Sequence, residues 1–504
     1  MSTTFKLFKG SALQTITLFV NLLAVFLLFP FIVKTLGDKI YGLWVLASSL
    51  TGYYFLLDFG ISQAVSRFIA RALGKNRKEE TKSVISNSIF MFSCIALFTI
   101  IFTIILAFFL KYFVPSDILL ISRILLITVG LEFAFTLPLR TYGGVLKAHL
   151  DFDIFSLFDL ITIILRSGLI FFFLSKGYGI IALAIINLLT SVIFYLANFF
   201  YVRKKYPEAT FNAKLIKKKK IKELFKFSQY IFLTQIGDNL RYKIDSFVIA
   251  GFIGLASVTL YSIAVKIVDY YMQLMIALTS AVIPLFYRYE GAKDFDSIRQ
   301  KFILGTRIST IFAFIIGANL IIFGKNFIQN WMGKDYINAY SILIILVIPY
   351  IFDLSQRMGM GVLQSLNKHY IYTIMNGVEG VINLILSIIL VQKIGIIGVA
   401  IGTAIPLLII KGFIQPYIIC KHVDLKISKY LREISKIVIF LLAFFSLVYL
   451  LFYKITSMSY TFMGIAILAE LSILSITLYA FILRHEEKKI IQDIFYKLKE
   501  KSPI

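Results

Sequence analysis

About fourteen apolar stretches, each near 20 residues or longer, follow one another along this chain of 504 residues, and that succession restricts its fold more than any other feature. They run at approximately 10–34, 41–66, 84–110, 117–139, 153–174, 179–202, 227–253, 257–287, 303–324, 338–362, 370–391, 395–420, 433–453 and 460–483. A helix of about 20 apolar residues crosses the hydrocarbon of a bilayer. No water is present there to satisfy backbone N–H and C=O groups, so such stretches fold as α-helices. The expected class is an all-α polytopic membrane protein with about 14 transmembrane helices. Only 16% of the residues are charged, against about a quarter in soluble domains.

The net charge of +25 invites a nucleic-acid reading. The Lys and Arg residues, however, lie in short runs between apolar spans, where membrane topology is the simpler account, and no nucleic-acid partner is expected. An even number of spans leaves both termini on one side. About 36 of the 52 Lys and Arg residues fall on that side, about 8 on the other and about 8 inside spans. The positive-inside bias therefore places both termini in the cytoplasm of a cell-membrane protein. The largest contributor is the connection Arg203 to Lys226, which contains KKKK. Cys94 and Cys420 lie inside apolar segments, and His149, His369, His422 and His485 show no ligand spacing, so neither disulfides nor a metal site are expected. The apolar run after Lys9 is too long for a cleaved signal peptide and reads as the first span. External loops are short, with no paired-carboxylate metal motif and no Walker A sequence, so an enzyme is not expected.

Compared with itself at an offset of roughly 217 residues, the chain falls into register. GGVLKAHLDFDIF and GYGIIALAI in the first half meet MGVLQSLNKHYIY and IGIIGVAI in the second. Six spans separate the partners, so the two repeats share an orientation and an axis along the membrane normal. The expected organisation is a six-helix lobe over 1–202, a basic cytoplasmic linker over 203–226, a second six-helix lobe over 227–422, and two additional helices with a tail over 423–504.

One span carries its charges in the middle. Gln229 to Gly254 is long enough to cross a membrane yet holds Asp238, Arg241, Lys243 and Asp245. On one continuous helix Asp238, Arg241 and Asp245 share a stripe at i, i+3 and i+7. Lys266, Asp269 and Gln273 repeat that spacing in the next span. An intramembrane charge costs roughly 3 kcal/mol even on insertion scales, so such groups face a bundle interior or a water-filled path. With Asn21 and Asp58 from the first two spans, these residues are expected to wall a cavity between the lobes. Arg241, Lys243, Lys266, Asn21, Gln235, Asn239 and Gln273 are its candidate binding residues, and Asp58, Asp238, Asp245 and Asp269 its candidates for coupling or gating. Asp159 with Arg166, and Asp353 with Arg357, are secondary candidates or plain ion pairs. Arg123, Lys411 and Glu470 lie near span ends and are expected to extend toward the membrane surface; Trp44 and Trp331 suit the interfacial belts.

Several stretches taken together resemble the polysaccharide or O-antigen (Wzx-type) flippases of the MATE-like MOP exporter superfamily: FPFIVKTLGDKIYGLW from Phe29, LLDFGISQAVSRFIA from Leu56, YKIDSFVIAGFIG from Tyr242, AVIPLFYR from Ala281, NWMGKDYINA from Asn330, and GVLQSLNKHY with VINLILSIILVQKIGIIGVAIGTAI beyond Gly361. They are spread over most of the first 420 residues. The resemblance implies two six-helix lobes in a V that alternate access. It also implies an oligosaccharide on undecaprenyl pyrophosphate as cargo, moved from the inner to the outer leaflet, alongside membrane lipids and a polysaccharide polymerase or chain-length partner. Asp58 of LLDFG and Asp245 of YKID fall in motifs typical of the family. No cofactor is implied; coupling to H+ or Na+ is open. The carboxylates among the cations keep a cation-coupled multidrug exporter of the same superfamily as the alternative.

Overall fold

The computed structural model describes residues 3–484 except 113, 281, 367 and 456, together with 487, 488 and 492. The side chains of further helical residues, among them residues 3–8 and much of 230–242 with Asp238 and Arg241, lie outside the described set. Every regular element described is helical. The α-helices are α1 (Thr3–Leu36), α2 (Asp38–Leu56), α3 (Ile61–Gly74), α4 (Lys78–Phe109), α5 (Ser116–Ala148), α6 (Phe152–Ser175), α7 (Ile180–Lys205), α8 (Lys218–Tyr242), α9 (Ile244–Phe252), α10 (Leu255–Ser280), α11 (Ile283–Gly291), α12 (Phe295–Trp331), α13 (Ala339–Ser355), α14 (Arg357–Ser365), α15 (His369–Ile394), α16 (Ile396–Leu407), α17 (Gln415–His422), α18 (Ile427–Phe452) and α19 (Tyr460–Thr477).

Among the described residues, 12 helical stretches are long and apolar enough to cross a membrane. The chain is a multi-pass membrane protein. The two expected spans outside this set, 41–66 and 227–253, are also helical but broken: the first between α2 and α3, the second at Lys243 between α8 and α9. Their breaks coincide with their polar residues, and those residues lower their apolarity. The prolines follow the rule that a missing N–H is tolerated inside a membrane helix when neighbours compensate. Pro30, Pro138, Pro349 and Pro406 lie within helices, and Pro284 opens α11. Pro406 lies two residues before a π-helical segment, Leu408–Ile414.

The internal repeat is visible in the elements. The α6–α7 and α15–α16 turns, at the repeat offset of roughly 217 residues, each use a left-handed glycine, Gly177 (φ 83) and Gly395 (φ 62).

Two compact units form, Met1–Ser262 with Asn376–Val399, and Ile263–Met375 with Ala400–Ile504. In the first, α4, α5 and α7 pack together, α1 lies along α6, and the core includes Ile61, Ile85, Phe92, Leu137 and Val145, all fully buried. Helix α3 buries Ile61, Ala64, Val65, Phe68, Ile69 and Ala72, a 3.6-residue stripe that leaves Arg67 and Arg71 exposed outside it. The basic linker is docked rather than loose. Asn87 on α4 accepts from the Lys217 N–H at 2.9 Å and donates to the Leu215 carbonyl at 2.9 Å, while Lys220 pairs with Glu80 at 3.3 Å. Helix α2 meets the start of α10 so closely that a Cβ at Gly42 would lie 1.9 Å from the Leu255 carbonyl oxygen, and the Thr259 hydroxyl donates to the Asp38 carbonyl at 2.7 Å.

In the second unit the long helix α12 packs against α13 and α18. The two additional helices, α18 and α19, are tied to it by polar contacts. Arg307, 2% exposed, donates to Glu487 at 2.6 and 2.9 Å and to the Ile482 carbonyl at 3.1 Å, and it reaches Glu433 at 3.4 Å. Arg484 pairs with the same Glu433. Asn319 donates to Glu470 at 2.9 Å, and Asn326 accepts from the Met458 N–H at 3.1 Å. Glu470 and Lys411 therefore do not extend to the surface as their positions near span ends suggested. Both are buried, Lys411 with its amine 4.2 Å from the Tyr372 ring centre, because inside a bundle a polar partner substitutes for water. Arg123 turns inward too, donating to the Ala107 carbonyl at 3.0 Å. Trp331, the last residue of α12, is buried beside Phe327.

Candidate functional site

The expected charged span is two helices, so its stripe is not continuous. Helix α8 ends at Tyr242, Lys243 leaves helical geometry (φ −120, ψ −14), and α9 begins at Ile244. Asp238 and Arg241 are on α8, with side chains outside the described set, whereas Asp245 belongs to the first turn of α9. Broken helices within a membrane expose backbone groups where a polar ligand binds. Here the positive end of α9 is already met by Asp245.

The described side chains around this break are polar. Gln235 and Asn239 on α8 are half-buried, and Lys243 is exposed. The Asn239 amide donates to the Gln235 carbonyl at 3.0 Å. Helix α2 approaches them through Gly52, where a Cβ would meet the Asn239 amide oxygen at 2.8 Å and the Lys243 stem at 3.4 Å. A side chain there would displace the two groups, so Gly52 keeps the face of α2 open to them. Asp245 is buried and accepts from the Tyr261 hydroxyl of α10 at 2.6 Å.

Asn21 is half-buried on α1. Asp58 sits in the α2–α3 break, 1% exposed, and accepts from the Ser62 hydroxyl at 2.7 Å and the Ser62 N–H at 3.4 Å. The break needs Phe59 (φ 49) and Gly60 (φ 74) in left-handed geometry, and the Asp58 carboxylate satisfies the Ser62 N–H in the first turn of α3. Asp159 and Arg166 lie on α6. Arg166 donates to the Thr190 hydroxyl at 2.9 Å and the Ser191 hydroxyl at 3.1 Å, and Ser191 donates to Glu132 at 2.7 Å. Arg166 thus joins α6 to α7 and, through Ser191, to α5. Thr190 and Ser191 were not candidates; their one advance sign is a polar pair inside the apolar run NLLTSVIF.

In the second unit Lys266 and Asp269 on α10 are each about one-third exposed, with amine and carboxylate 4.0 Å apart. Gln273, one turn on, is half-buried. Asp353 lies in the last turn of α13 and Arg357 begins α14, so the expected i, i+4 pair straddles a helix break at Gln356.

An all-helical chain with many apolar spans, broken helices and ionisable groups held within the bundle has the architecture of a polytopic membrane transporter. Solved structures of that class share its fold. A lipid II flippase, MurJ, is similar with TM-score 0.74 at 19% identity over 94% of this chain and 100% of that one. A multidrug resistance MATE family transporter of the MOP superfamily is similar with TM-score 0.66 at 16% identity over 84% of this chain and 99% of that one. The model of the family described as "Polysaccharide biosynthesis protein" matches residues 7–290, more than half of the chain, and the chain belongs to that family. The MatE family model matches residues 231–389. A Shigella flexneri relative, named "Putative O-antigen transporter", is 26% identical over 388 residues, which cover 74% of this chain and 88% of the relative.

Proposed function

We propose that this protein is a flippase that moves an undecaprenyl-pyrophosphate-linked oligosaccharide, an O-antigen or other surface polysaccharide repeat unit, from the inner to the outer leaflet of the cytoplasmic membrane by alternating access. The observation that carries the reading is the correspondence with the Shigella flexneri O-antigen relative over nearly that protein's whole length. The residues suit the cargo. A pyrophosphate is met by cations, and Lys243, Lys266 and Arg241 supply them. Sugar hydroxyls are met by amides, and Asn21, Gln235, Asn239 and Gln273 supply those. Asp58, Asp238, Asp245 and Asp269 are proposed to act in gating or in coupling to H+ or Na+. In this proposal the two repeats over 1–202 and 227–422 are the moving lobes, both termini are cytoplasmic, and a polysaccharide polymerase takes the delivered unit.

Cells lacking the protein are expected to accumulate lipid-linked repeat units on the cytoplasmic leaflet. Complementation with Lys243→Gln or Lys266→Gln should restore membrane insertion but lose about tenfold or more of surface glycan, as expected for removing a charge-assisted contact. Normal surface glycan in the deletion strain would overturn the proposal. The MatE match over residues 231–389 favours, as a second reading, a cation-coupled multidrug exporter. Gradient-driven efflux of a cationic dye from vesicles, with surface glycan unaffected, would select it.

A further inference from the structure

We infer that an apolar groove in the first unit is a phospholipid site, holding one acyl chain and a zwitterionic headgroup of the ethanolamine type. The groove has a volume of about 790 Å³ and is lined by Leu43 and Leu50 of α2, Leu106 of α4, Leu126 of α5, Phe247 of α9 and Ile253 beyond it. That volume falls within the range of ligand pockets, roughly 300–1,000 Å³. From Lys39 to Leu50 it follows α2 for about 16 Å at helical rise, comparable with half the thickness of the hydrocarbon. Its mouth lies where the α1–α2, α4–α5 and α9–α10 connections come together, with Lys39, Pro115 and Gly254 in the lining. Each of these connections joins an odd-numbered span to the next even one, so the mouth faces the side opposite the termini.

The mouth decides the occupant. Among the described residues that line the groove Lys39 alone is charged, and its amine lies 2.5 Å from the Asp117 carboxylate, with both side chains more than half exposed. An exposed pair of this kind contributes little to stability and opens readily. Opened, it offers a cation to a phosphate and an anion to an ammonium group side by side. A purely anionic headgroup would meet repulsion from Asp117, and a multiply charged pyrophosphate more of it, so the groove is assigned to a matrix phospholipid and not to the proposed cargo.

Native mass spectrometry of the purified full chain, titrated with phosphatidylethanolamine or phosphatidylglycerol, tests it. The wild type should retain the ethanolamine lipid about tenfold better, the equivalent of one well-placed charged contact. Gly251 lines the groove, and a Cβ there meets no atom within 4 Å, so Gly251→Phe should fill the space, keep the unfolding midpoint and lose that retention. Ala256→Phe, at a second exposed lining position, provides the same test should Gly251→Phe fold poorly. Replacing Lys39 and Asp117 together by Ala should leave a lipid bound but erase the headgroup preference. Equal retention of both lipids by the wild type, or undiminished retention in the filled variants, would show only annular lipid and overturn the assignment.

Discussion

Tyr261 and Asp245 show how much rests on one hydroxyl. The carboxylate is 6% exposed and takes a 2.6 Å hydrogen bond from the tyrosine. Tyr261→Phe withdraws a donor from a buried acceptor, which costs about 1–3 kcal/mol, and the thermal unfolding midpoint of the purified protein should fall accordingly. An unchanged midpoint would show that Asp245 does not depend on this partner. The sequence pointed to Asp245 because a carboxylate in an apolar span must be answered by something. It did not point to Tyr261, because one tyrosine among 28 has no distinguishing local pattern. Arg166 illustrates the same limit. Its spacing from Asp159 was legible, whereas its partners Thr190 and Ser191 lie on another helix, where only packing brings them near.

Apolar length was enough to locate the helices but not their breaks. Span existence follows from the lack of water in the membrane, a constraint written into composition. The interruptions at Lys243 and Gln356, and the left-handed Phe59–Gly60 corner, depend on neighbouring helices, which a single apolar run does not encode. Helix contacts carry their own predictions. Gly42 packs against the Leu255 carbonyl with no room for a Cβ. Gly42→Ala must therefore part α2 from α10 at a cost of about 1–3 kcal/mol or more, visible as reduced yield and a lower unfolding midpoint. The docking of α18 and α19 on α12 depends on Arg307, and Glu487→Gln leaves that buried cation short of its closest carboxylate. Losing one partner of such a pair costs about 3–5 kcal/mol, so protease should cut the 423–426 connection faster than in the wild type. Burial pushes the Glu487 carboxyl up, but hydrogen bonds from Arg307 and the Arg484 N–H outweigh it and hold the group below its ordinary 4.5. A carboxylate lowered on folding stabilises above its unfolded value and loses that contribution as pH falls through the folded one. Protease protection of the connection should accordingly hold above pH 4.5 and decline below it.

Across the whole chain the repeat, the multi-pass architecture and the polysaccharide-biosynthesis family were all foreshadowed by residue patterns, since periodic apolarity and an offset self-match survive without any three-dimensional information. What did not show in the sequence is which polar groups are occupied with holding helices together. Asp58 is committed to Ser62, Lys411 to Tyr372 and Glu470 to Asn319, whereas Lys243 is exposed at a helix break and Lys266 is one-third exposed. The proposed transport turns on cations of that second kind meeting a pyrophosphate. The most direct measurement reconstitutes the purified protein in vesicles holding a fluorescent undecaprenyl-pyrophosphate oligosaccharide in both leaflets and follows quenching by an impermeant reductant. Translocation predicts quenching that proceeds past the outer-leaflet half, with Lys243→Gln and Lys266→Gln slowed about tenfold or more. Quenching that halts at the outer-leaflet half with folded wild-type protein present would contradict the flippase account.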